Sequence, residues 1–150
     1  MKNAIVTGAS NGIGLEISKK LSENNYYVGM IDIDKENLNK ESENISNSIA
    51  IEGDVTNQDS IKNALDTFSK TPDLIVNNAG IVIFGGLEEQ SIEDFKKSVD
   101  VSLIGSYLVS RLAIDSMIKK GSGCIINMSS INGVHPGPGT GGYPPAKAGI

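Results

Sequence analysis

Thr7-Gly8-Ala9-Ser10-Asn11-Gly12-Ile13-Gly14 is the stretch on which the reading of this chain turns. Three glycines fall within eight residues. They stand between an aliphatic run, Ala4-Ile5-Val6, and a segment that carries Ile13, Ile17 and Leu21 at helical spacing. A strand that turns directly into a helix, with glycines at the turn, is a phosphate-binding arrangement. Gly8 permits the tight turn, Gly12 lets the main chain approach a pyrophosphate, and Gly14 lets helix and strand pack closely. The helix N-terminus offers free N–H groups and a positive dipole end to an anion, which places Ser10, Asn11 and Ile13 beside the glycines as candidate binding residues.

Outward from this turn, short aliphatic runs alternate with longer mixed segments. Strands are expected at Ala4–Val6, Tyr26–Ile33, Ser48–Ile51, Leu74–Val76 and Cys124–Met128. Helices are expected at Ile13–Leu21, Lys35–Ile45, Asp59–Phe68 and Ser91–Lys120, the last with a kink near Gly105. A Gly- and Pro-rich loop, Asn132–Gly142, leads to a final helical start at Tyr143, where Pro144 and Pro145 suit a first turn. Strict alternation of strand and helix implies right-handed crossovers and a parallel sheet covered on both faces. The strands are continuous aliphatic runs, as double-sided burial requires. The expectation is one α/β domain of Rossmann type, doubly wound, with its ligand at the carboxyl ends of the strands.

Asp32 stands eighteen residues after Gly14, at the end of the second strand. A carboxylate there accepts hydrogen bonds from both ribose hydroxyls of an adenosine and repels a 2'-phosphate, which predicts NAD over NADP. Asp34 competes for that role but also suits a helix N-cap. Asn11 is neutral. Lys35, the nearest basic residue, argues the other way.

Composition narrows the classes. The chain has 150 residues, 39% hydrophobic and 21% charged, with a formal net charge of -5. That excludes a disordered tail, a collagen-like repeat and a membrane bundle. Its basic runs are only pairs (Lys19-Lys20, Lys96-Lys97, Lys119-Lys120), which makes it a poor nucleic-acid binder. No uninterrupted apolar run reaches the ~18 residues of a membrane span. The N-terminus enters a strand pattern at once, without a signal-peptide core. A lone cysteine, Cys124, suits a reducing compartment, and Ile125 and Ile126 beside it suggest an inert buried thiol. A cytoplasmic protein is expected.

Further motifs follow in order: Asp54-Val55 after the third strand, Asn77-Asn78-Ala79-Gly80 after the fourth, then Ser130, Tyr143 and Lys147. Together with Thr7-Gly8-x-x-x-Gly12-x-Gly14, these make the chain resemble the short-chain dehydrogenases/reductases. The glycine spacing sets it apart from the extended sugar-epimerase branch. The resemblance runs the whole length, residues 1–150, and places residue 150 roughly three fifths of the way along a typical member, with the C-terminal part of the domain beyond it. It implies that Asp54 and Val55 hold the adenine, that Asn77 stabilises the central sheet, and that Asn78, Ala79 and Gly80 approach the cofactor. It implies NAD as cofactor, a small alcohol or ketone as substrate, and a homo-oligomer, dimer or tetramer.

The implied chemistry has a physical basis. Tyr143 and Lys147 lie one helical turn apart on one face. A phenol ionises near ~10, and a neighbouring ammonium favours the phenolate. Tyr143 then serves as general acid/base, Ser130 orients the substrate oxygen, and Lys147 also binds the nicotinamide ribose. Hydride passes directly between substrate carbon and cofactor, with no metal required. Ser129 is the neighbouring alternative to Ser130. It is expected to point to the opposite face of the strand end.

Some residues depart from the family pattern. Val101-Ser102-Leu103-Ile104-Gly105 has Ser102 where the family carries an Asn that holds a relay water. Ser102 is read as a variant fourth catalytic member, with plain helix packing as its alternative. His135, the only histidine, is taken as a loop residue. The opposing reading of the whole chain is a catalytically silent dinucleotide sensor or interaction module that keeps the fold.

Overall fold

A computed structural model describes residues 1–150. Five parallel strands form one sheet: β1 (Lys2–Thr7), β2 (Tyr26–Asp32), β3 (Ser48–Glu52), β4 (Leu74–Asn77) and β5 (Cys124–Asn127). Their spatial order is β3-β2-β1-β4-β5, so the winding reverses between β1 and β4. That switch point is where a doubly wound sheet opens a crevice for ligand. The register aligns Val6 with Met30 and Val76, which brings the carboxyl ends of β1, β2 and β4 to a common rim.

Alternate residues of each strand face opposite sides, and both sides are apolar. Ile5, Ile31 and Ile75 point into a core with Ile61, Phe68, Val109 and Met117. Those partners come from α3 (Gln58–Phe68) and α5 (Gly105–Lys120). Val6, Met30 and Val76 face the other way, into a smaller core with Leu38, Leu15 and Leu21. These belong to α1 (Gly12–Glu23) and α2 (Lys35–Ser42). The α/β architecture read from the sequence is therefore the one observed.

Residues Ile92–Lys120 form one helical run of 29 residues. It comprises α4 (Ile92–Val99), a π-helical turn at Asp100–Ile104, and α5. The irregularity expected near Gly105 is this turn, which ends at that glycine. The run is long and apolar enough to cross a bilayer by length and composition. Its buried residues Val109, Ala113 and Met117, however, pack on the sheet, as a core helix does. A single 3-10 turn (Ile131–Gly133) and α6 (Tyr143–Gly149) complete the chain.

Cys124 is not the buried thiol that its neighbours suggested; it is exposed. β5 is an edge strand, and of its residues only Ile125 is partly buried against α5. The aliphatic neighbours reported a strand and not its place in the sheet.

Candidate active site

The strand ends open on one cleft of about 700 Å³. At its centre is the glycine turn. Gly8 has φ +65, and a Cβ there would stand 2.9 Å from Ala79 Cα, so this turn and the one after β4 touch. A Cβ on Gly14 would meet the Gly8 carbonyl oxygen at 2.0 Å, which only glycine avoids. Gly12 differs: it has φ +53 and nothing within 4 Å of its missing side chain. The backbone there faces open space, as approach of a phosphate requires. No side chain caps the N-terminus of α1, and no acidic residue lies in its first turn. Its N–H groups remain available to an anion.

At the end of β2, Asp32 accepts from Ser10 N (2.9 Å) through one oxygen and from Asp34 N (3.0 Å) through the other. Asp34 caps α2 by accepting from Asn37 N (3.1 Å), and Asn37 Nδ2 donates to Ser10 O (2.6 Å). Asp34 thus takes the capping role the sequence suggested, and the carboxylate of Asp32 is held on both oxygens while each keeps acceptor capacity. Asp32 lines the cleft with Ile33. Asp54 and Val55 line it too. Asp54 Oδ1 accepts from Thr56 N and Oγ1 (2.8 and 2.7 Å), and Val55 is buried against Gly105.

The two asparagines after β4 act in different directions. Asn77 Nδ2 donates to Ser110 Oγ (2.8 Å) and Asn127 Oδ1 (2.8 Å), which ties β4 to α5 and β5. Asn78 Nδ2 donates to Thr7 O and Gly8 O (3.0 and 3.1 Å). Its main-chain N and that of Ala79 both donate to Thr7 Oγ1 (3.1 Å each). Asn78 therefore clamps the glycine turn, and its carbonyl oxygen is the group left to meet a ligand.

The catalytic candidates converge from distant segments. Tyr143 opens α6, and Lys147 is 5% exposed with its ammonium 5.6 Å from the Tyr143 ring centre. Lys147 Nζ donates to the Met128 carbonyl at 2.5 Å. A methyl on Gly80 would lie 3.4 Å from both Lys147 Nζ and Ser102 Oγ, so these polar groups flank it. Burial pushes the Lys147 ammonium below its ordinary pKa.

Ser102 is fully buried within the π-helical turn, where such irregularities often serve a site. Its hydroxyl accepts a long bond from Ile81 N (3.4 Å), and its carbonyl accepts from Ser106 Oγ (2.9 Å). Ser130 accepts from Asn132 N (3.2 Å) to cap the 3-10 turn, which leaves its O–H proton free to donate. Ser129 donates to the Lys147 carbonyl (2.8 Å). The cleft wall includes Ser129, Tyr143 and Lys147 but not Ser10, Gly12, Gly14, Ser102 or Ser130, so Ser129, expected to face away, is the serine on the cleft.

Sequence reading missed Asn37, which braces Ser10, and the cleft-lining Lys97, Ile81 and Met128. Lys97 and Val101 share a helix face four apart, which is the one signal that could have found them. Met128 acts through its carbonyl, which no side-chain pattern reports.

The model of the short chain dehydrogenase family matches residues 2–150. The chain belongs to that family. Its similar relatives include an uncharacterized oxidoreductase of Thermotoga maritima, 37% identical over 89% of this chain and 55% of that protein. A 3-oxoacyl-acyl-carrier-protein reductase of Chlamydia muridarum is 37% identical over 99% of this chain and 63% of its own length. Glucose 1-dehydrogenase 2 of Bacillus subtilis is 33% identical over 99% and 62%. The chain thus spans about three fifths of the length of the curated relatives it matches. As a short-chain dehydrogenase it is of an oxidoreductase family that uses nicotinamide cofactors.

Proposed function

We propose that this short-chain dehydrogenase transfers a hydride between NAD(H) and a secondary alcohol or ketone. The observation that carries the reading is the convergence of Tyr143 and a buried Lys147 on the same cleft as the glycine turn and Asp32. The residues present fit a dinucleotide. Gly12 leaves backbone open to phosphates, the first turn of α1 holds free donors, and Asp32 is a prepared acceptor for ribose hydroxyls. When bound, the nicotinamide ring gives or takes the hydride.

The chain's own residues handle the proton. Tyr143 donates one to the carbonyl oxygen in reduction and removes one from the hydroxyl in oxidation. The Lys147 ammonium is fixed by the Met128 carbonyl and stands over the Tyr143 ring. Ser130 keeps its hydroxyl proton for the substrate oxygen. Ser102, beside Lys147 across Gly80, is a supporting polar group. Asp54, Val55, Asn78, Ala79 and Gly80 form the remaining cofactor wall. Exposed Phe95, Tyr107 and Ile118 on the long helical run suit packing against a second copy, which supports a homo-oligomer. The lone thiol suits the cytosol.

The test is Tyr143→Phe in the full-length protein, with NAD and a panel of secondary alcohols. Turnover is expected to fall by about 10³-fold with NAD affinity unchanged, the size of a lost general acid/base. A fall of less than tenfold would remove Tyr143 from the chemistry, and a wild type that binds NAD but turns over none of the alcohols would favour the silent binding module.

A further inference from the structure

We propose that Glu52 is a cofactor-specificity residue: it pairs with Lys35 and so withholds the one cation at the ribose end of the cleft from a 2'-phosphate. The inference rests on the dinucleotide reading above and adds to it a residue outside the motifs. Lys35 Nζ lies 3.0 Å from Glu52 Oε2. β2 and β3 run in register, with Asp32 opposite Glu52, and Gly53 N donates to Asp32 O (2.9 Å). The pair therefore stands beside the carboxylate that meets the ribose.

Three segments meet at this end, 7–14, 31–36 and 52–57; Asp32, Ile33, Gly53 and Asp54 line the cleft, and the Lys35–Glu52 pair lies just outside that lining. Lys35 is their only basic residue, against Asp32, Asp34, Glu36, Glu52 and Asp54. A free Lys35 would offer a 2'-phosphate its only attractive charge here. Paired with Glu52, it is drawn away from that position. Asp32 alone does not produce this, because it leaves Lys35 free to swing toward a phosphate. Both side chains are exposed, so the pair is held loosely and its influence is modest and salt-dependent.

The test is equilibrium titration of NAD and NADP, followed by protein or cofactor fluorescence, for the wild-type full-length protein, Glu52→Gln and Glu52→Gln/Lys35→Gln. Glu52→Gln is expected to tighten NADP about fivefold and leave NAD within twofold. That gain should vanish in the double variant and shrink at 0.5 M salt, where the Debye length is only about 4 Å. An unchanged NADP-to-NAD ratio in Glu52→Gln, or a gain that survives loss of Lys35, would overturn the proposal while NAD binding kept the dinucleotide reading. A wild type that binds neither nucleotide would overturn both.

Discussion

At the ribose end of the cleft, Ser10, Asp32, Asp34 and Asn37 hold one another through main-chain donors and short side chains that are near in sequence or joined by adjacent strands. At the catalytic end, Lys147 depends on Gly80, Ser102 and the Met128 carbonyl, and Tyr143 on a loop that reaches back to α4. Gly142 of that loop is so close to Phe95 that a Cβ would stand 2.8 Å from its carbonyl oxygen. The first end is set by backbone conformation between two buried central strands. The second is assembled by side chains across the edge strand β5, much of it exposed. One end is thus fixed mainly by main-chain contacts of neighbouring segments, the other by side chains drawn from segments far apart in the chain.

The largest test of this contrast is in the glycine turn. Gly14→Ala places a methyl 2.0 Å from the Gly8 carbonyl, against backbone that cannot yield. A loss of about 3 kcal/mol or more in unfolding free energy is expected. Gly12→Ala has open space and only the cost of φ +53, about 1 kcal/mol. Denaturant unfolding of both variants should rank them so. Equal losses would show that packing does not set the turn.

The far end of the sheet gives a smaller effect. Asp73 accepts from Asn3 N (2.7 Å) and pairs with Lys120, which links β1, β4 and α5. The bond from Lys120, then that from Asn3, holds the Asp73 carboxyl below its ordinary value. A group with a depressed folded pKa contributes stability present above its unfolded value and lost as pH falls through the folded one. Asp73→Asn should therefore cost about 1 kcal/mol at pH 7 and much less at pH 3. A cost independent of pH would assign the effect to shape and not to charge.

The smallest stability effect is expected at Lys147, the proposed partner of Tyr143. Lys147 is buried with a lowered pKa, so its charge opposes folding at neutral pH and that penalty eases as pH rises toward its unfolded value near 10.5. Lys147→Met should leave the melting temperature unchanged or higher while turnover collapses. A drop of more than a few degrees would mean that the Met128 bond outweighs the burial of charge.

Most of the fold was legible because each signal was local. Aliphatic runs, helical spacing and glycines at a strand end determine their own elements, and Asp34 declared its capping role by position. The buried status assigned to Cys124 failed because burial in a strand depends on what lies beside it in the sheet. An irregularity near Gly105 was legible, but its π-helical form was not. That turn holds Ser102, which accepts from Ile81 N in the loop after β4, and ends at Gly105 against Val55 after β3, residues far away in the chain.

The sequence by itself determined the parallel α/β architecture, the phosphate turn and the candidate Tyr143–Lys147 pair, since these rest on conformational preferences and spacings within a few residues. Only the tertiary structure decided that Asn78 clamps the glycine turn, that Met128 holds Lys147 through its carbonyl, and that Glu52 pairs with Lys35. Each is a hydrogen bond or ion pair between segments brought together by strand register, and register is fixed by burying both faces of the sheet at once.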